Sequence, residues 1–167
     1  VDQGGELVLQ ETGERFAING LWPNQVRTTT VPPGGLDAPI IYGGYGQFSE
    51  FNGKNVEGRV VLMEFNSGNH WLHAASLGAR AIVFIAPESS NWRQANTKFA
   101  EAPLDVPRFW LDREKGTYLR EKIGADEKEV HLTSRMDWEK RPVWNVWGVF
   151  PGRDPVFKNE TIIVQAY

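Results

Sequence analysis

The chain has 167 residues, enough for one domain of ordinary size with an element or two beyond it. Its formal net charge of −3 gives no basic footprint for nucleic acid, and no apolar run approaches the length of a membrane span. It has no cysteine, which excludes disulfides, thiol nucleophiles and thiolate zinc sites.

Seven Trp and nine Phe supply material for a sizeable core. No secretory signal pattern opens the sequence, so the expectation is that any signal lies upstream or has been removed. Asn159-Glu-Thr161 fits the glycosylation triplet, a pattern that often arises by chance. The mixed-sign cluster Gly124-Ala-Asp-Glu-Lys-Glu reads as a solvated turn.

Residues 1–58 read as strands and loops. Glu6–Gln10 is a short strand that Thr12-Gly13-Glu14 turns back toward Phe16–Ile18. Two Pro/Gly clusters, Val31–Gly35 and Tyr42–Gly46, flank Ala38–Tyr42, and the proline there predicts an edge strand. The character changes at Gly58. Arg59–Phe65 is a near-continuous apolar run between turn residues, as a buried strand requires. Asn66–Asn69 is a turn, and His70–Gly78 reads as a short helix packing through Trp71, Ala74, Ala75 and Leu77. Arg80–Ala86 is a second buried strand. Strand, helix, strand predicts a βαβ unit with parallel strands and a right-handed crossover. The polar stretch Pro87–Pro103 reads as a long connection. Val106–Leu111 is a third strand, Asp112 caps a helix reaching Ile123, and Gly124 stops it. Glu129–Trp138 alternates as a half-exposed strand does.

Some residues invite chemistry. His70 and His73 share a helix face at i, i+3 and would need Glu64 or Asp112 to complete a zinc site. The other reading is a solvent-facing pair, and no His-Glu-x-x-His pattern is present. His131 and Asp137 would need a serine to make a triad, but no Gly-x-Ser-x-Gly elbow exists. No Ser or Thr follows Lys54 as a phosphate loop demands. Trp92, Arg93 and Phe99 lie on the long connection and are of types enriched at binding hot spots or in cores. Either they face a partner, or Trp92 and Phe99 pin the connection to the core.

The stretch Pro142–Pro155 reads Pro-Val-Trp-Asn-Val-Trp-Gly-Val-Phe-Pro-Gly-Arg-Asp-Pro and is followed by Glu160-Thr-Ile-Ile-Val-Gln-Ala-Tyr167. Two apolar runs around a Pro-Gly-Arg-Asp-Pro turn predict a hairpin. The run resembles the opening hairpin of the zinc aminopeptidase and carboxypeptidase family that includes glutamate carboxypeptidase and the transferrin receptor. There, Asn-Val-x-Gly-x-x-Pro-Gly leads to a strand ending in Ala-His, whose His binds zinc. Tyr167 stands at that position here. Upstream, Tyr42–Gly46, Lys54–Met63, Ala74–Phe84 and Val106–Leu111 resemble, in order, the motifs of the protease-associated domain.

The resemblance implies a β-rich α/β fold over residues 1–140: an open β-barrel or sandwich-like sheet with two or three short helices and one βαβ unit. Residues 141–167 would be the first β-hairpin of a following peptidase-like domain. The implied role is non-catalytic. Such a domain covers or shapes the substrate cleft of an adjoining zinc peptidase-like domain, or binds a peptide or protein. No cofactor is implied within this stretch, and zinc is implied in the longer protein. The protein would be secreted, periplasmic or on the extracellular face. Trp92, Arg93, Phe99, Ser67 and Asn69 would face the cleft or partner. Substrate-cleaving members have Arg-Gly-Asn before the helix, with the Arg on the substrate. Ser67-Gly68-Asn69 lacks that Arg, so glutamate-type recognition is not carried over. Tyr167 leaves open a binding domain of a catalytically inactive, transferrin-receptor-like protein. A free-standing binding module is the third reading.

Overall fold

β1 (Asp2–Leu9) turns at Thr12 and Gly13 into antiparallel β2 (Arg15–Gly20), with Leu7 opposite Phe16. The structure is a computed structural model that describes residues 1–21, 29–124 and 126–164. Among these, seven strands close a barrel in the order β1-β2-β6-β5-β4-β3-β7. The sheet thus closes on itself instead of staying open, because β7 (Lys128–Met136) pairs with both β1 and β3 (Leu36–Tyr42).

Pro39 does not mark an edge. β3 lies between β7 and β4 (Val60–Glu64), and the β4 ladder begins only at Ile40, one residue past the proline. The proline is accommodated where the second ladder has not started.

The expected βαβ unit is present. β4, α1 (Trp71–Ser76) and β5 (Ala81–Ile85) follow one another, and the strands run parallel from Val60 opposite Ala81 to Glu64 opposite Ile85. Alternation sorts the side chains. Val60, Leu62, Ala81, Val83 and Ile85 point into the barrel, where they meet Leu119 and Ile123 of α3 (Arg113–Ile123). Val61, Met63, Ile82 and Phe84 point outward and are covered by Trp71 and Ala74 of α1. Both strands are therefore buried on both faces, as their apolar runs require. α3 approaches β5 closely at Gly116, where an added Cβ would lie 2.7 Å from an Ile85 methyl.

The stretch Pro87–Pro103 is not a loop throughout. It contains α2 (Trp92–Phe99), capped by the Asn91 side chain, which accepts from the Gln94 N–H at 3.1 Å. β6 (Arg108–Leu111) then pairs parallel with β5 and antiparallel with β2. Asp112 stands at the start of α3, but its side chain makes no capping hydrogen bond.

Gly78 closes α1 with φ 88°. The Ala79 N–H donates to the Ala74 carbonyl at 3.0 Å and the Gly78 N–H to that of Ala75 at 3.1 Å, the paired bonds of a Schellman end. A Cβ there would also lie 3.2 Å from Glu57. Gly78→Val is expected to destabilise the fold by about 1 kcal/mol or more. Urea denaturation measures this, and an unchanged midpoint would remove the backbone argument for the glycine.

Beyond β7 the chain forms no strand or helix as far as residue 164. The Asp154 carboxylate accepts from the N–H groups of Val156 and Phe157 at 2.8 and 3.0 Å and organises a turn over 155–159. The runs expected to pair as a hairpin therefore do not pair within the described residues. A closed barrel offers no free edge, and a lone two-stranded hairpin is marginal in water. Tyr167 lies outside the described residues.

Candidate functional site

The strands β3, β4, β5 and β6 are mutually parallel and end together at Tyr42, Glu64, Ile85 and Leu111. The connections that follow them gather at one rim of the barrel, where parallel α/β sheets place their sites. Two features are built there: a polar groove and a helical corner.

The groove has a volume of about 510 Å³ and runs between α3 and the residues after β4 and β5. At its inner end the Glu64 carboxylate accepts from the Tyr42 hydroxyl at 2.8 Å and from the Arg120 guanidinium at 3.3 Å. Burial first, and then the bond to Glu64, push the Tyr42 phenol up to about 12. Its outer end holds Arg113 and Glu88 at 3.4 Å. Glu64 is a charged residue closing an apolar run, a signal that the site could have been sought there.

The corner is made by α1 and α2. Trp71 is fully buried, its indole N–H donates to the Thr97 carbonyl at 2.9 Å, and the Arg108 guanidinium sits 4.7 Å from its ring centroid. Arg108 is itself buried, and its Nε and Nη2 have no hydrogen-bond partner among the described residues. Lys98 is buried too. Its ammonium donates to the Gly68 carbonyl at 3.0 Å and to Gln94 and Thr97 side-chain oxygens at 3.3 Å, above the rings of Phe65 and Phe84. The Gln94 side chain also accepts from the Gly68 N–H at 2.8 Å. This network ties α2 to the turn after β4.

Burial brings the Lys98 ammonium down from its ordinary 10.5 to about 8. Between these values the unfolded chain binds more protons than the folded one, so stability rises with pH from about 8. The slope is at most about 1.4 kcal/mol per pH unit. Above about 10 the raised Tyr42 acts in the opposite sense, because the folded state then holds the extra proton. Lys98→Met is expected to flatten the rise between about pH 8 and 10. Urea denaturation across that range measures it, and an unchanged slope would remove Lys98 as its cause.

Trp92 and Arg93 lie on the exposed side of α2, and Trp92 is 68% exposed with its ring edge-on to Phe99 at 5.7 Å. Phe99 is half-buried beneath it. Asn69 is exposed, whereas Ser67 is buried and its backbone N–H bonds the Phe65 carbonyl. The structure thus gathers these five residues on the α1–α2 corner. The sequence signal missed for α2 is Asn91 followed by Gln94 three residues on, with Trp92 and Phe99 seven apart.

The other pairings fall out differently. The His73 Nδ1–H donates to the Gly46 carbonyl at 2.8 Å, and its ring stacks between Phe48 at 3.8 Å and His70 at 5.5 Å. His131 bonds Asp37 across the ladder at 2.9 Å, while Asp137 pairs with Arg135 at 2.9 Å, so His131 and Asp137 do not meet as a catalytic pair. Lys54 donates to the Tyr42 carbonyl at 2.7 Å and closes the 43–54 loop. Among the described residues no three His, Asp or Glu side chains converge as metal ligands, and no helix is long and apolar enough to cross a membrane.

No family model matches the chain, and no curated protein matches it by sequence. Solved structures match it by fold. An aminopeptidase from Aneurinibacillus sp. strain AM-1 superposes with a TM-score of 0.53 at 14% identity, over 78% of this chain and 30% of that one. A zinc aminopeptidase from Bacillus subtilis does so at 0.51 and 19% identity, over 80% and 31%. A peptidase M28 precursor from Shewanella amazonensis SB2B gives 0.55 at 10% identity, over 80% and 35%. At these identities the likeness is one of fold: a β-rich barrel with a few short helices. The chain spans about a third of the length of these peptidases. The Bacillus subtilis enzyme is a zinc aminopeptidase, whereas among the described residues of this chain no group of His, Asp and Glu fits a zinc site.

Proposed function

We propose that this chain is the protease-associated domain of a zinc aminopeptidase- or carboxypeptidase-like protein, and that it covers or shapes the substrate cleft of an adjoining peptidase domain. The observation that carries the reading is the apolar surface of residues 143–164. Trp144, Trp147, Phe150 and Ile162 are 86, 83, 97 and 91% exposed. Large apolar side chains left this open to water along one segment point to a partner that covers them. The barrel is closed and has no edge to receive these residues. An adjoining sheet that took 141–167 as its first hairpin would bury them.

The fold likeness to peptidases about three times as long supports the same reading. Trp92, Arg93 and Asn69 would then face the cleft, with Phe99 backing Trp92 and Ser67 shaping the turn through its backbone. Zinc belongs to the longer protein in this reading, and the protein works outside the cytoplasm.

Tyr167 favours a second reading, in which the longer protein binds a partner and does not hydrolyse. A phenol must ionise to bind zinc well, which it resists at neutral pH. One experiment separates the two. The longer protein is assayed on a panel of aminoacyl and peptidyl substrates, with zinc and after chelation. Zinc-dependent hydrolysis is the expected result. Substrate binding or partner capture with no hydrolysis at any zinc concentration would replace the first reading with the second.

A further inference from the structure

We propose that the groove between α3 and the carboxyl ends of β4 and β5 binds the carboxylate of a peptide, with Arg113 as its anchor. The proposal concerns this chain alone and does not rest on a neighbouring domain. α3 presents Arg113, Thr117 and Arg120 at i, i+4 and i+7, which places all three on one helix face, and all three line the groove.

The two arginines are not equivalent. Arg120 is held in the Tyr42–Glu64 cluster. Arg113 has only a 3.4 Å ion pair with Glu88, and the two side chains are 54% and 80% exposed. Such a pair contributes little and opens readily. A guanidinium that can take a carboxylate through two parallel bonds gains more from a ligand than from that contact.

The rest of the groove is set for a peptide. Its floor is fixed, because the Asn66 amide donates to the Ser89 carbonyl at 2.9 Å and accepts from the Ser90 hydroxyl at 2.8 Å. Tyr45, Ile85 and Pro87 supply apolar wall beside the charges, and Tyr45 is 52% exposed. Two carboxylates, Glu64 and Glu88, balance the two guanidiniums. A monoanion can take the place of the Glu88 carboxylate on Arg113 as that exposed side chain swings into water, whereas a phosphate dianion would bring a second charge beside Glu64. This favours a carboxylate next to an apolar side chain.

NMR titration of the full chain tests this with three probes: N-acetyl-Ala-Phe as free acid, its C-terminal amide, and N-acetyl-Asp-Phe-amide. At least one acid-bearing probe is expected to bind about tenfold tighter than the neutral amide, as a charge-assisted bond implies. Which one does so tells a chain terminus from an acidic side chain. Arg113→Gln should abolish the preference, and Glu88→Gln should tighten binding about threefold or more by removing the competing carboxylate. Both positions are exposed, so the variants should keep the parent spectrum elsewhere. Equal binding of acid and amide, a preference that survives Arg113→Gln, unchanged affinity in Glu88→Gln, or tighter binding of inorganic phosphate than of either acid would each overturn the proposal.

Discussion

Replacing Trp71 with Ala is expected to cost about 3–5 kcal/mol of folding free energy. Trp71 is fully buried where α1, α2 and the outer face of the sheet meet. Its loss would leave a cavity. It would also orphan the Thr97 carbonyl and remove the ring over which the Arg108 guanidinium lies. The Arg108 Nε and Nη2 have no partners among the described residues and Nη1 has only a long bond of 3.5 Å to the Ala102 carbonyl, so the ring face is the main support of this buried cation. A domain with the usual 5–15 kcal/mol to spare would be left near its limit. Urea denaturation measures the loss. A value below about 1 kcal/mol would mean that the corner collapses around the gap and does not hold α2 in place.

Trp92→Ala is expected to have a small effect on stability and a large one on recognition. Trp92 is 68% exposed, and its ring rests edge-on against Phe99. Removing an exposed aromatic anchor typically costs about 2 kcal/mol of binding, close to 30-fold in affinity. In the longer protein the measurement pairs ligand affinity, or KM for a cleaved substrate, with the melting temperature. If stability collapses while the folded remainder binds normally, Trp92 serves to pin α2 and is not an anchor.

How much the sequence discloses depends on where the free energy lies. Arg59–Phe65 and Arg80–Ala86 are legible as buried strands because each is apolar on both faces, and a crossover of that length leaves them parallel. Gly78 is legible as a helix end, and its Schellman bonds give the reason. α2 escapes a pattern reading because the residues that hold it are polar. Lys98 and Thr97 are buried by hydrogen bonds to Gly68 and Gln94, so the face that the helix buries is polar, while its apolar row of Trp92, Ala95 and Phe99 is half-buried or exposed. Barrel closure is equally hidden, since it depends on which strands β7 pairs with. Pro39 misleads for the same reason: a proline excludes one ladder position and not a whole strand edge. At the groove, Glu64 on β4 stands 49 and 56 positions before Arg113 and Arg120 on α3, and only the fold brings it to them. The apolar runs after residue 141 read as a hairpin, but within the described residues they do not pair, and the closed barrel offers them no edge.

In the function proposed above, the α1–α2 corner and residues 143–164 face a second domain. Hydrogen–deuterium exchange tests it most directly, comparing the 167-residue chain with the longer, peptidase-like protein proposed above. The expected result is that amides of 143–164 exchange freely in the shorter chain and become strongly protected in the longer one, with added protection over Trp92–Phe99. Equal and rapid exchange of both segments in the two proteins would contradict it.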